Sequence, residues 1–250
     1  MEFYNPFSLA GKTMLITGAS SGIGRAIAIE CAKMGAALAI TGRNPERLDE
    51  TYCVLSGNNH FQHPANLSNE EDIDKLVEVL PKLDGCVCNA GINRPLLAQY
   101  AERKDVFETF EINTFSVFLL IQKLLQHKKI NKKASIVFTS SISGIYVSSV
   151  GGALYSASKG AIHGYLKGLA LDLAGRGIRV NSVNPGMIDT QIFSENTITP
   201  EQLEEDKKRY PLKRFGKPEE VAYAAVYLLS DASEWVTGAN LLIDGGYTLL

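Results

Sequence analysis

The chain has 250 residues, 45% of them hydrophobic and 21% charged, and a formal net charge of −2. That length can bury a large core without staples, and the balance is ordinary for a globular protein in water. The charge leaves no footprint for nucleic acid or an anionic membrane, and no apolar run approaches a bilayer span or a signal peptide. Four cysteines are present. Cys86 and Cys88 lie two apart in an apolar run, so a strand would turn both to one face. Their spacing fits no zinc or redox site, and they read as buried thiols of a reducing compartment. The expectation is a cytoplasmic protein without a metal.

In chain order, "KTMLITG" reads as a buried strand and "GIGRAIAIECAKMG" as a helix. Its apolar positions Ile23, Ala26, Ile27 and Ile29 recur with helical period, and Gly35 suits the stop. "AALAITG" is a second strand. "NPERLDETYCVLSG" follows as a helix with Asn44 as N-cap and Pro45 at its first position. "NHFQHPAN" is a weaker third strand, and "LSNEEDIDKLVEVLPKL" a helix capped by Ser68 with acids in its first turn. "DGCVCNAG" is a fourth strand. One or two helices cover about 102–128, with the basic run "HKKINKK" as their solvated end.

"ASIVFTSS" is a fifth strand, "LYSASKGAIHGYLKGLALDLAG" a long helix and "IRVNSVNPG" a sixth strand. "KPEEVAYAAVYLLSD" is a helix and "ANLLIDGG" a last short strand. A polar stretch near 190–216 interrupts this rhythm and contains a helix in "TPEQLEEDKKR". Strands alternating with helices imply right-handed crossovers. The predicted fold is therefore α/β: one doubly wound, Rossmann-type domain over 1–250, with a mostly parallel seven-stranded sheet and helices on both faces. Ligands in such sheets bind beyond the carboxyl ends of the strands.

Each strand exit was read for chemistry. After the first comes "TGASSGIG", with Gly18, Gly22 and Gly24. Glycines at a strand-to-helix turn let backbone amides approach a phosphate at the positive end of the helix. After the second comes Gly42 and then Arg43, where many dinucleotide sites hold the ribose hydroxyls with an acid. A guanidinium there suits a 2′-phosphate, which favours NADP(H) over NAD(H). "NAG" (Asn89, Ala90, Gly91) allows a flat ligand to pack closely, and "SSISG" offers the hydroxyls of Ser140, Ser141 and Ser143. In "YSASK", Tyr155 and Lys159 are four apart and share a helix face. They could be a proton-transfer pair or a solvated surface pair.

Together "TGASSGIG", "NAG", "EIN", "SSISG", "YSASK" and "NPGMIDT", with the closing "RFGKPEEVAYAAVYLLSDASEWVTGANLLIDGG", resemble the short-chain dehydrogenase/reductase family across nearly the whole chain. The resemblance implies catalytic roles for Asn113, Ser141, Tyr155 and Lys159. Ser143 is kept as a substitute for Ser141, because the gap to Tyr155 is one residue longer than usual. Cofactor contacts are implied at Gly18, Ser20, Ser21, Gly22, Ile23, Gly24, Arg43, Asn66, Leu67, Asn89, Ala90, Gly91, Tyr155, Lys159, Pro185, Gly186, Ile188 and Thr190. Asn66 stands where many members carry aspartate.

The chemistry gives the tyrosine and lysine their parts. Hydride transfer to a ketone leaves an alkoxide that needs a proton, and the reverse reaction needs a base. A phenol with pKa near ~10 is a poor base at neutral pH. A neighbouring ammonium is expected to lower it, making Tyr155 the acid/base, with Lys159 also holding the nicotinamide ribose. Ser141 would bond the substrate oxygen, and Asn113 would hold a water linking Lys159 to solvent. A substrate lid is expected near 190–215, with Ile192, Phe193 and Ile198 as an apolar wall. "NAGINR" and the tail resemble bacterial 3-oxoacyl-acyl carrier protein reductases. Such a carrier is acidic and could dock near Lys132, Lys133 and Arg176. A sugar, polyol or other small alcohol is the alternative substrate, and a non-catalytic NADP-binding sensor a remote one. The resemblance also implies a homotetramer, joined through the helices near 102–128 and 154–174 and through the last strand.

Overall fold

The computed structural model describes residues 4–190 and 199–250. Short apolar runs rich in Ile, Val and Leu form the strands, and each is followed by an amphipathic stretch that returns over one face. The strands are β1 (Thr13–Thr17), β2 (Ala37–Thr41), β3 (Phe61–Gln62), β4 (Leu83–Cys88), β5 (Ile130–Thr139), β6 (Arg179–Pro185) and β7 (Asn240–Ile243). They form one parallel sheet in the order β3-β2-β1-β4-β5-β6-β7. The order reverses between β1 and β4, which opens a crevice at their carboxyl ends.

Alternation along the strands divides the core in two. Leu15, Ala39, Cys86, Ile136, Phe138 and Val180 face one layer, made by α3 (Glu70–Val79), α5 (Ser116–Gln126) and α6 (Ala153–Ala174). Met14, Ile16, Leu38, Ile40, Val87, Val137 and Val183 face the other, made by α1 (Gly22–Lys33), α2 (Pro45–Tyr52) and α8 (Pro218–Leu229). Ala26 and Ala28 of α1 and Ala222 and Ala225 of α8 are small enough to let those two helices close on each other. Cys86 and Cys88 do share a face, with their sulfurs 3.7 Å apart, and all four cysteines are free thiols. Two further helices, α4 (Arg103–Phe110) and α7 (Pro200–Lys208), complete the set used below. Among the described residues, no helix is long and apolar enough to cross a membrane.

Several boundaries differ from the sequence reading. The helix after β2 ends at Tyr52, where Val54 and Leu55 donate to the Thr51 and Tyr52 carbonyls and tighten the last turn. The cap of α3 is Asn69, not Ser68: Asn69 is extended, and its side chain accepts from the Glu71 N–H at 2.9 Å. The basic run is only partly a helix end, because α5 stops at Gln126 and β5 begins at Ile130. Ile130 pairs with Leu83, and the register then shifts before Ser135 pairs with Gly85. Lys133 in the intervening bulge is left-handed (φ 61), and Asn131 bonds Asp84 there. Of the expected lid, α7 is confirmed with a Thr199–Gln202 capping box. The expected wall of Ile192, Phe193 and Ile198 lies outside the described residues.

The cap assignment is directly testable. Asn69→Ala should remove about 1 kcal/mol of stability, about 2–4 °C in Tm for a chain of this size. Ser68→Ala should stay within about 0.5 kcal/mol. Thermal unfolding of the two variants decides between the caps, and equal losses would reject Asn69.

Candidate active site

The crevice is built by close backbone approach. Gly18 is left-handed (φ +64), and a Cβ there would meet Ala90 Cα and Asn89 Nδ2 at 2.9 Å. A Cβ on Gly24 would fall on the Gly18 carbonyl oxygen. Any larger residue at either position would force the β1 and β4 exits apart. Thr17 Oγ1 ties them together by accepting from the Asn89 and Ala90 N–H groups at 2.9 and 3.2 Å. Asn89 Nδ2 reaches back to the Gly18 carbonyl at 3.4 Å. Ser21 stands at the N-cap of α1 without a side-chain capping bond, leaving the first-turn amides to a ligand. Thr190 lies over Gly22, at 3.5 Å from where a Cβ would sit. The turn after β1 is thus open to an anion and roofed from the β6 exit, and a dinucleotide pyrophosphate fits this donor set.

Along the same edge, Ser20 sits against Gly42, and Ala65 N–H donates to the Gly42 carbonyl. Arg43 is exposed and makes no ion pair among the described residues. Asn66 is exposed beside it, but its Oδ1 already accepts from the Ser68 N–H at 3.3 Å. Leu67 and Ile188 are buried in the two cores, and Ile23 packs on one of them, so those side chains serve packing. Pro185 ends β6, and Gly186 closes on Asp244, at 3.1 Å between a built Cβ and the Asp244 Cα.

The expected catalytic residues converge. Between α4 and α5 the helix widens into one π-type turn, Glu111–Phe115, which carries Asn113 inward. Asn113 Oδ1 accepts from the Ile92 N–H at 2.8 Å, while its Nδ2 donates to the Ile92 carbonyl and to Ser158 Oγ, each at 3.0 Å. Both amide hydrogens are therefore used. The side chain clasps the β4 exit to α6, and the expected water link cannot use its donors. Lys159 Nζ donates to the Thr139 carbonyl at 3.0 Å and lies 5.8 Å from the Tyr155 ring centroid. A Cβ on Gly91 would stand 3.1 Å from Asn113 Oδ1 and 3.5 Å from Lys159 Nζ. The Ser141 side chain lies near enough to the Tyr155 phenol to favour its ionised form. Ser143 does not replace Ser141; its N–H donates to Ser141 Oγ at 3.0 Å and supports it.

Burial pushes the Tyr155 phenol above its ordinary value, and the Ser141 side chain pulls it back by less, so the phenol is a neutral acid at pH 7. Burial also brings the Lys159 amine down to about 8. Sequence reasoning missed Ser158, Thr139 and His163. Ser158 and His163 sit one turn either way from positions already singled out on α6, and that spacing was the available signal.

A glycine-turn crevice, an open helix terminus and a half-buried Tyr155 beside the buried Lys159 and Ser141 are the parts of a nicotinamide-dependent oxidoreductase acting on CH–OH groups. The chain belongs to the short-chain dehydrogenase/reductase family. Residues 18–248 match the family model described as Enoyl-(Acyl carrier protein) reductase. The chain is 38% identical over 242 residues to the 3-oxoacyl-(acyl-carrier-protein) reductase FabG of Rickettsia felis, covering 97% of this chain and 99% of that one. It is 36% identical over 248 residues to a glucose 1-dehydrogenase of Gluconobacter oxydans, covering 96% and 93%. A doubly substituted short-chain dehydrogenase/reductase of Serratia marcescens superposes with a TM-score of 0.89 at 31% identity, over 98% and 100% of the chains.

The buried amine has a measurable consequence. Between pH 8 and 10.5 the unfolded lysine keeps a proton that the folded one has shed, so stability rises with pH across that window. Below it the folded state carries the full penalty. The drop from 10.5 to about 8, at 1.36 kcal/mol per unit, is on the order of 3 kcal/mol. Lys159→Met should therefore raise Tm at pH 7 by a few degrees, while kcat falls by about 10² or more. A lower Tm in calorimetry would show that the Thr139 contact outweighs the desolvation.

Proposed function

We propose that this chain reduces a 3-oxoacyl thioester with NADP(H), the natural substrate being carried on an acyl carrier protein. The observation that carries the reading is the convergence of Tyr155 with the buried Lys159, whose amine sits 5.8 Å from the phenol ring and rests on the Thr139 carbonyl beside Gly91. The dinucleotide supplies the hydride when bound. Tyr155, held neutral by burial, gives its proton to the oxygen of the substrate as that oxygen becomes negative. Ser141 fixes this oxygen by hydrogen bonding, and Lys159 bonds the ribose and holds positive charge near the phenol. Asn113 keeps Gly91 and Ser158 in place around them. Gly18, Ser20, Ser21, Gly22 and Gly24 would hold the pyrophosphate, and Arg43 the 2′-phosphate.

An apolar acyl chain fits the rim. The loop between Ser141 and Tyr155 exposes Ile145, Tyr146 and Val150, and the loop after β4 exposes Leu97 and Tyr100. The two are joined by the Leu96 N–H on the Gly151 carbonyl at 2.9 Å. Lys132 and Lys133 are exposed, but they lie at the amino end of β5, and Arg176 is tied to the Ile130 carbonyl at that same end; the expected carrier dock is thus on the far edge of the sheet from the strand exits that form the site. The Gluconobacter relative keeps a sugar or polyol substrate as the second reading.

A homotetramer is part of the proposal. Phe115 and Leu171 are exposed, the latter at 80%, and Gly164 and Gly168 of α6 face open space that a helix of a second copy can enter. Phe115, Phe118, Leu119, Gln122 and Tyr165 line a groove on this face. Sedimentation should give a tetramer, and a clean monomer would reject it.

Assays with acetoacetyl-CoA and a sugar panel, each with both cofactors, should show turnover of the thioester with NADPH; sugar oxidation alone would favour the second reading. Tyr155→Phe should lose at least ~10² in kcat while still binding cofactor. Arg43→Ala should cut the NADPH preference in kcat/KM by roughly ten- to hundredfold; an unchanged ratio removes Arg43 from the phosphate site.

A further inference from the structure

Behind Ser141 runs a buried polar chain that the reaction as described does not use. His163 lies one turn beyond Lys159 on α6 and is 5% exposed. One edge of its ring meets the exit of β5, where Nε2 is 3.1 Å from Ser140 Oγ. The other meets the edge strand β7, where Nδ1 is 2.9 Å from Asn240 Oδ1. Asn240 sits opposite Ser182 in the β6–β7 register, and Ser182 Oγ lies 2.8 Å from Asn240 Oδ1 and 2.7 Å from the Asn184 amide.

Hydrogen-bond arithmetic fixes the direction of this chain. A serine has one hydroxyl hydrogen and cannot donate to two amide oxygens. Asn184 Nδ2, in the assigned orientation, is buried without a partner. Turning the Asn184 amide end over end solves both problems, since its Nδ2 then donates to Ser182 Oγ. Ser182 is left to donate to Asn240 Oδ1, which also accepts from His163 Nδ1–H. His163 Nε2 is then the acceptor, and the Ser140 hydroxyl donates to it. The imidazole is neutral, in agreement with the burial that lowers its pKa.

We infer that His163 is a positioning residue for the reaction: braced on Asn240 of the edge strand, it holds Ser140, the residue before Ser141, and so sets where the Ser141 hydroxyl points. The inference rests on the reading of Ser141 as the partner of the substrate oxygen. A brace of this kind acts only through Ser141. Its loss should lower kcat and leave cofactor affinity alone, and it should have no further effect once the Ser141 hydroxyl is gone.

The test uses the full-length enzyme and whichever ketone of the panel the wild type reduces. His163→Leu, which keeps bulk and removes both ring nitrogens, should lower kcat about ten- to hundredfold, with the KM for NADPH within twofold of wild type. His163→Gln, which offers one donor and one acceptor, should recover most of that loss. The double variant Ser141→Ala/His163→Leu should be no more than about twofold slower than Ser141→Ala alone. Should His163→Leu not fold, Asn240→Ala removes the brace from its far end, and a kcat several-fold below wild type is expected. Wild-type kcat in the folded variants, or losses that multiply in the double variant, would overturn the inference. If Ser141→Ala itself retained full activity, the catalytic reading would fall instead, and the two failures are thereby distinguished.

Discussion

The site depends on a charged amine kept where water does not reach. Lys159 is 5% exposed and rests on the backbone carbonyl of Thr139. An amine so placed is disfavoured by burial, which is why it sits well below its ordinary pKa. Its retention makes sense only as part of a site. The same burial that strains the amine keeps the Tyr155 phenol neutral. One environment therefore prepares both partners: the acid holds its proton, and the positive charge stands close by in a medium that screens it little.

Around this amine the fold brings together parts far apart in the chain. Gly91 comes from the β4 exit, Asn113 from the wide turn before α5, Thr139 from the end of β5, Ser141 from the loop that follows it, and Tyr155 from α6. None is held by its own element alone. Asn113 bridges Ile92 and Ser158, Thr114 bonds the Ser158 carbonyl, and Thr17 clasps Asn89 and Ala90. These bonds cross element boundaries, and they convert a general α/β scaffold into fixed geometry. Glycine supplies the other half of that rigidity, because the β1 turn and the β4 exit touch where no Cβ fits.

Much of this was legible in the sequence. The parallel sheet with helices on both faces follows from the alternation of apolar runs with amphipathic helices. The glycine turn, the Asn89–Gly91 exit and the Tyr155–Lys159 pair could be read because each requirement is local: a positive φ, a close approach, one turn of helix. Errors fell where a tertiary contact outvoted a local preference. Ser68 and Asn69 are both good caps, and the entry path of the chain chose the second. The basic run after α5 became partly strand because Leu83 offered Ile130 a ladder partner. The burial that raises the Tyr155 pKa was not legible, since a sequence shows neighbours but not the water they exclude.

The sequence by itself determined the fold class, the family and the residue types at the strand ends, because periodicity and spacing are properties of the chain alone. Tertiary structure decided which hydroxyl of "SSISG" faces the phenol, that the Asn113 amide acts as a clasp, and that His163 stands behind the serine. Those outcomes depend on burial and on partners a dozen or more residues away, and no local pattern carries that information.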